Sequence, residues 1–122
     1  MKPKPLPDEL QRLLPLTPAV FFVLFSLADG EKHGYAIMQQ MATLSGGKFR
    51  MGPGTLYTTL QRLLYLALIE EVQGAGAGES DTRRRYYRLN GSGKLVLEAE
   101  IGRMDSVVRL ARRKKLIPGT AE

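Results

Sequence analysis

Gly52-Pro53-Gly54-Thr55-Leu56-Tyr57-Thr58-Thr59-Leu60-Gln61-Arg62-Leu63-Leu64-Tyr65 is the stretch on which the reading of this chain turns. Pro53 stands early, where a helix tolerates a missing N–H, and Thr55 lies near the cap. Leu56, Leu60, Leu63 and Leu64 then recur at helical spacing on one side, while Thr55, Thr58, Gln61, Arg62 and Tyr65 point away and Tyr57 lies at the edge. That outward side is rich in Thr and poor in Glu and Lys, whereas an ordinary solvated helix prefers charge there. It therefore reads as a surface for bases or phosphates, with plain solvated surface as the alternative. Immediately downstream, Leu68 to Gln73 and Thr82 to Leu89 alternate as two strands, joined by Gly74-Ala75-Gly76-Ala77-Gly78-Glu79-Ser80-Asp81, a loop expected to move when free. In the returning strand Tyr87 and Leu89 share one side, and Arg84, Tyr86 and Arg88 the other. A polar-faced helix followed at once by a basic hairpin is the layout of a winged helix, in which the helix enters a DNA groove and the hairpin grips the backbone.

Working outward, residues 1 to 7 are proline-rich, and Asp8 is expected to cap a short helix carrying Leu10, Leu13 and Leu14, which Pro15 ends. Thr17-Pro18 is a start signal for a helix with Val20, Phe21, Leu24, Phe25 and Ala28 on its buried face. Phe22 and Val23 widen that face, so the helix is expected to be covered on most sides, within the domain or by a partner subunit. Gly30 stops it. A second helix is predicted from Gly34 to Leu44, with Ile37, Met41 and Leu44 inward, closed by Ser45-Gly46-Gly47. Lys48 to Met51 alternates polar and apolar, compatible with a brief strand beside the wing. From Ser92 a long helix is predicted to about Leu116, and Leu97, Ile101, Met104, Val108 and Ala111 make a seam at spacings of 4, 3, 4 and 3. Such a seam fits packing against the same helix of a second subunit. Arg109, Arg112, Arg113, Lys114 and Lys115 suit the negative end of that helix dipole. The expected fold is mainly α with a small β-hairpin: residues 1–16 an N-terminal extension with a short helix, 17–90 a winged helix-turn-helix, and 91–122 a long dimerisation helix and tail.

Composition narrows the partners. The 122 residues fit one domain, and 18 Lys and Arg against 12 Asp and Glu give a net charge of +6 and a pI near 9.8. Such basicity suggests a polyanion, and on charge alone DNA, RNA and anionic membranes all qualify. With no cysteine and one histidine, disulfides, thiolate chemistry and His or Cys metal clusters are excluded, and no cofactor is expected. The longest apolar run, Ala19 to Ala28, is too short for a bilayer core of about 30 Å. The proline-rich start, with Asp8 and Glu9, does not suit a signal peptide, so a cytoplasmic protein is expected. An enzyme is not: the carboxylates are scattered, no Ser/His/Asp set exists, and Gly74 to Gly78 lacks the Lys and following helix of a phosphate-binding loop.

The candidate DNA contacts follow from residue chemistry. Arg84, Arg85 and Arg88 would clamp phosphates from the wing, or else protect a charged edge strand. Arg62 could reach guanine or phosphate, Gln61 adenine, and Thr55 and Thr58 a thymine methyl or a phosphate. Tyr35 stands at a helix N-terminus, where N–H groups favour an anion, or packs between helices. His33 reads as a turn or capping residue. Single-strand and RNA binding are disfavoured because the aromatics form no stacking platform on the sheet.

Three blocks occur in a specific order: His33-Gly34-Tyr35-Ala36-Ile37; Gly54-Thr55-Leu56-Tyr57 with Arg62-Leu63 and Leu68-Ile69; and Arg84-Arg85-Tyr86-Tyr87-Arg88-Leu89. In these the chain resembles the PadR family of bacterial transcription factors, over roughly residues 17 to 116. The resemblance implies a homodimer that recognises a near-palindromic double-stranded operator, with its reading helices about one turn, roughly 34 Å, apart. It implies repression, relieved in some members by a small aromatic or drug-like effector, and places Tyr35 against a phosphate and Tyr57 near the DNA. The interface candidates are Leu13, Phe21, Leu97, Ile101, Met104, Val108 and Ala111. The multidrug-sensing branch stacks a tryptophan on its ligand, but this chain has none, and Ile101 falls near that place. An apolar pocket lined by Leu13, Phe21, Ile101 or Met104 remains compatible with an effector. Ala67 stands where the family usually carries glycine, which implies a different exit angle from the reading helix. The short C-terminal part matches the branch with a single dimerisation helix. A rival class is a winged-helix module that meets an acidic protein instead of DNA.

Overall fold

The computed structural model of the protein describes residues 6–72 and 85–118. Its first helix, α1 (Asp8–Gln11), corrects one expectation: Pro7 occupies the cap position, Asp8 is already helical, and no side chain caps the turn. The acidic Asp8 and Glu9 instead lie in the first turn, the favourable end of the dipole. In α2 (Pro18–Ser26) the start signal works as read: the Thr17 hydroxyl accepts from the Val20 N–H at 3.3 Å, with Pro18 in the first turn. Phe21, Val23, Leu24 and Ser26 are buried on this helix and Phe22 and Phe25 half-buried, so its nearly all-round apolar character is matched by cover from the rest of the chain.

Lys32–His33 forms strand β1, and His33 then caps α3 (Gly34–Leu44), its Nδ1 accepting from the Ala36 N–H at 3.2 Å. Gly46 and Gly47, at φ of 65° and 80°, supply the left-handed turn that ends α3. The segment from Lys48 to Met51 is not a strand. Ser45 holds it as a loop, its hydroxyl accepting from the Phe49 N–H at 2.9 Å and donating to the Phe49 carbonyl at 3.2 Å, so those groups are satisfied without a ladder. Phe49 stacks on Phe22 at 5.8 Å between ring centres.

Helix α4 (Pro53–Tyr65) buries Leu56, Leu60 and Leu63. It turns through Leu66 and Ala67 into strand β2 (Ile69–Val72), which pairs antiparallel with β3 (Tyr86–Leu89). The ladder matches Ile69 with Leu89, Glu70 with Arg88, Glu71 with Tyr87 and Val72 with Tyr86. On its other edge β3 takes β1, so the sheet order is β1-β3-β2 and the third strand comes from before α3. Among the described residues, Leu68 and Arg85 stand just outside the strands; Gln73, the loop from Gly74 to Asp81, and residues 82–84 lie outside the described residues.

Helix α5 (Gly91–Arg113) starts one residue after β3 ends. Asn90 caps it, its side-chain oxygen accepting from the Gly93 N–H at 2.8 Å while its amide donates to the Ala67 carbonyl at 2.6 Å. One side chain thus ties the exit of α4 to the start of α5. Gly93, Val96, Leu97 and Glu100 are buried; from Ile101 onward only Met104 and Ala111 are even half-buried within α5. The core is a single cluster drawn from all the long helices and the sheet, including Leu24, Ile37, Met41, Leu60, Leu63, Leu68 and Val96. Two proposed interface residues belong to that core: Phe21 is 9% and Leu97 4% exposed, which leaves little of either to bury against a second copy. Both are covered from inside the chain, where α5 packs on α2.

Candidate nucleic-acid interface

Helix α4 presents Thr55, Thr58, Gln61, Arg62 and Tyr65 to solvent, and Arg62 is the only charged residue within it. Placing four leucines inward has turned the remaining polar residues out, as helical periodicity requires. The Thr58 hydroxyl donates to the Gly54 carbonyl at 3.1 Å, so its proton is spent inside the helix. What Thr58 offers outward is a methyl group and oxygen lone pairs, which suit a thymine methyl or a base amino group better than a phosphate. Arg62 and Thr58 also border a cavity of about 300 Å³ against Pro15, Leu16, Thr17 and Val20, on the side of α4 nearest the start of α2.

A second group gathers at the other edge of α4. Tyr35 opens α3 with 63% exposure, Tyr57 on α4 has 50%, and with Arg85 and the buried Tyr87 they border a cavity of about 350 Å³ floored by Leu56 and Leu60. Arg85 donates from Nη1 to the Tyr57 hydroxyl at 3.5 Å, joining the base of the wing to α4. Its Nε stands 3.4 Å from a carboxylate oxygen of Glu71 on the neighbouring strand. Burial pushes the Tyr87 phenol above its ordinary range, and the Glu71 carboxylate adds to the shift, so Tyr87 is a neutral hydrogen-bonding group at any physiological pH. Two exposed phenols and a guanidinium around one concavity make a surface that can donate several hydrogen bonds to an anion.

The wing arginines do not act together. Strand alternation puts Arg85 on the side of Tyr87, towards α4, and Arg88 on the side of Tyr86, away from it. Arg88 pairs with Glu70 directly across the ladder and borders a different cavity, of about 640 Å³, with Leu27, Glu31, Lys94 and Ile101. Arg84 lies outside the described residues. Tyr86 is half-buried with its ring edge-on to His33 at 5.4 Å.

Beyond this surface, Ile101 is 40% exposed and Val107, Val108 and Leu110 are also open, whereas Leu13, Met104 and Ala111 are half-buried. The sequence reading missed Glu70, Glu71, Gly93 and Glu100. The first two could have been found by pairing the strands on paper, which brings Glu70 opposite Arg88 and Glu71 diagonal to Arg85. Glu100 gave the signal of an acid three residues before Arg103 on an otherwise inward face. It is fully buried, accepting from the Leu16 N–H at 2.7 Å and from Arg103, and so fastens the segment between α1 and α2 to α5. Among the described residues there is no acidic or histidine cluster suited to a metal ion, and no helix long and apolar enough to cross a membrane.

Comparison with known proteins agrees with this geometry. A family model described as the transcriptional regulator PadR-like family matches residues 23–99, which include all three of the sequence blocks. The transcriptional regulator Rv3488 of Mycobacterium tuberculosis is 33% identical over 87 residues, covering 71% of this chain and 76% of that protein. An uncharacterised 37.1 kDa protein in transposon TN4556 of Streptomyces fradiae is 38% identical over 95 residues, covering 78% of this chain; the matched stretch spans only 24% of that larger protein. Among solved structures, a PadR family transcription regulator from Clostridium difficile superposes with a TM-score of 0.66 at 21% identity, covering 80% of this chain and 97% of that one. Bacillus subtilis PadR, solved in complex with operator DNA, gives a TM-score of 0.56 at 23% identity over 71% of this chain and 47% of that one. These likenesses establish a winged-helix fold.

Proposed function

The chain belongs to the PadR-like family of transcriptional regulators, not of enzymes, and from that premise we propose that it is a sequence-specific double-stranded DNA-binding repressor acting as a homodimer. The observation that carries the reading is the convergence of Tyr35, Tyr57 and Arg85 at one edge of α4, beside an outward face of Thr55, Thr58 and Gln61 with no carboxylate on the helix. Bases are read by Thr55, Thr58, Gln61 and Arg62 in the major groove, and phosphates are held by Tyr35, Tyr57 and Arg85 beside it. Arg84 and Arg88 contribute to the general attraction of the wing. Bacillus subtilis PadR, which shares the fold, was solved with its operator, and this supports a comparable partner here. A regulator acting on DNA in this way would work in the cytoplasm; among the described residues no helix is long and apolar enough to cross a membrane.

Dimerisation rests on the second half of α5. Ile101 and Val108 lie open on one side of a helix that has left its own core, with Met104 and Ala111 beside them, and a second copy of the same helix, assisted by Leu13, covers that side. Operator halves about one turn apart, and a near-palindrome, follow from that symmetry. A small apolar or aromatic effector has room in the 640 Å³ cavity at the base of α5, where Leu27, Leu89, Leu97 and Ile101 supply apolar wall.

Fluorescence anisotropy against a duplex from the upstream region of its own gene, beside a scrambled duplex, at low and near-physiological salt, tests the reading. Preference for the native duplex that survives the higher salt is the expected result. No binding to either duplex at low salt would transfer the surface to an acidic protein partner.

A further inference from the structure

We propose that Glu71 is a built-in competitor for the phosphate that Arg85 is placed to meet, and that it sets how tightly the wing holds any duplex; the inference rests on the DNA-binding reading above. Glu70 and Glu71 are adjacent on β2, and each takes one arginine: Glu70 takes Arg88 straight across the ladder, on the far side of the ribbon, and Glu71 takes Arg85 diagonally, on the side of α4. Arg85 is 57% and Glu71 42% exposed at the side chain, and an ion pair so open contributes little to folding. Its effect falls on the guanidinium. Glu71 lies near Nε and Tyr57 near Nη1, so Arg85 is held towards α4, and its half-exposed guanidinium keeps donors for another anion.

An arginine that meets DNA gains affinity mainly because the phosphate it neutralises releases a condensed counterion. Here the Arg85 charge is already met by a carboxylate that cannot diffuse away. When a phosphate replaces Glu71, the carboxylate is left beside two anionic oxygens and must recruit a cation of its own. The net release at this contact is therefore smaller than for a free arginine, and the contact is weaker by the same cause. Because a phosphate carries no sequence information, the effect applies alike to correct and incorrect DNA. Glu71 thereby lowers the affinity for all duplexes while leaving the base-reading face of α4 untouched.

The test compares the parent with Glu71→Gln, Glu70→Gln, Arg85→Ala and the double variant Arg85→Ala/Glu71→Gln, using the native and scrambled duplexes over a salt series, after melting and light scattering have shown the same fold and assembly. Expected for Glu71→Gln is about fivefold tighter binding to both duplexes at low salt, with a salt slope steeper by about one. Glu70→Gln removes the same charge from the far side of the same strand and is expected to gain less than about twofold. The double variant is expected to bind no better than Arg85→Ala alone. If Glu71→Gln binds as the parent does or more weakly, Glu71 merely positions Arg85 and the inference is overturned; an equal gain from Glu70→Gln overturns it too, in favour of bulk charge. A parent that binds neither duplex removes the DNA-binding reading itself and takes the inference with it, so the two failures are distinct.

Discussion

Gly93 lies against the main chain of Leu68 so closely that a Cβ placed on it would stand 2.0 Å from the Leu68 carbonyl oxygen. No side chain can occupy that position unless α5 moves off the start of β2. Gly93→Ala is therefore expected to cost about 2–3 kcal/mol and to lower the melting temperature by roughly 10 °C. A variant that melts with the parent would show that the two elements do not approach so closely.

Ala67 adopts φ of 57°, a left-handed conformation that a side chain disfavours. It does so because the turn from α4 to β2 must fit under Asn90, whose amide holds the Ala67 carbonyl. Ala67→Gly relieves the Cβ, and is expected to stabilise the fold by about 0.5–1 kcal/mol, read as a higher denaturation midpoint in urea. An unchanged or lower midpoint would argue against the strain.

Glu100 gives the protein an acid-sensitive joint. The hydrogen bond from Arg103 holds its carboxyl below the usual carboxylate range, against burial, which pushes it up, while the Leu16 N–H and the charge of Arg103 add to the lowering. Because the folded value lies below the unfolded one, the stabilisation is fully present above the ordinary glutamate range and is lost as pH falls through the lower folded value. Glu100→Gln should be less stable than the parent by about 1–2 kcal/mol at pH 7, with the gap closing only as pH falls below the ordinary glutamate range. Urea midpoints at several pH values would reveal this, and a gap that persists undiminished at low pH would contradict it.

These three sites also mark where sequence reading stopped. The spans of α3 and α4, the caps at Thr17 and His33, and the inward leucines were legible because each rests on contacts within one or two turns. Alternation gave Tyr87 and Leu89 one side and Tyr86 and Arg88 the other, but it did not separate Arg85 from Arg88 as parts of one clamp; the structure turns Arg85 towards α4 and Arg88 away. What could not be read are contacts between residues far apart in the chain: Gly93 under Leu68, Asn90 on Ala67, and Leu16 on Glu100. Likewise, Lys32–His33 was hidden as a strand because two residues carry no periodicity, and Lys48 to Met51 mimicked one because four residues alternate by chance. Leu97 fitted a helix seam and Phe21 an apolar helix face, but neither pattern says whether its cover comes from the same chain.

Ile101→Glu combined with Val108→Glu places charges on the open part of α5 without touching the core. The expected outcome is a monomer at micromolar concentration by light scattering, with secondary structure kept, and operator affinity lower by at least about tenfold through lost bivalency. A dimer of unchanged tightness would remove α5 from the interface.

Arg62→Ala and Arg85→Ala separate reading from holding. Loss of Arg62 should narrow the ratio between native and scrambled duplexes by about 1–3 kcal/mol, whereas loss of Arg85 should weaken both alike and reduce the salt slope by up to about one. Equal behaviour of the two variants would mean that the reading surface lies elsewhere.

The corner at Asn90 has a geometric consequence. Strand β3 ends at Leu89 and α5 begins at Gly91, so a single residue, bonded on both sides, separates the wing from the helix that leaves the domain. No slack exists there to be taken up by bending. In a dimer built on α5, the corner acts as a ruler: the pitch at which one α5 meets the other is passed rigidly to α4, and the spacing of half-sites the protein can span becomes a property of the seam and not of the residues that touch the bases.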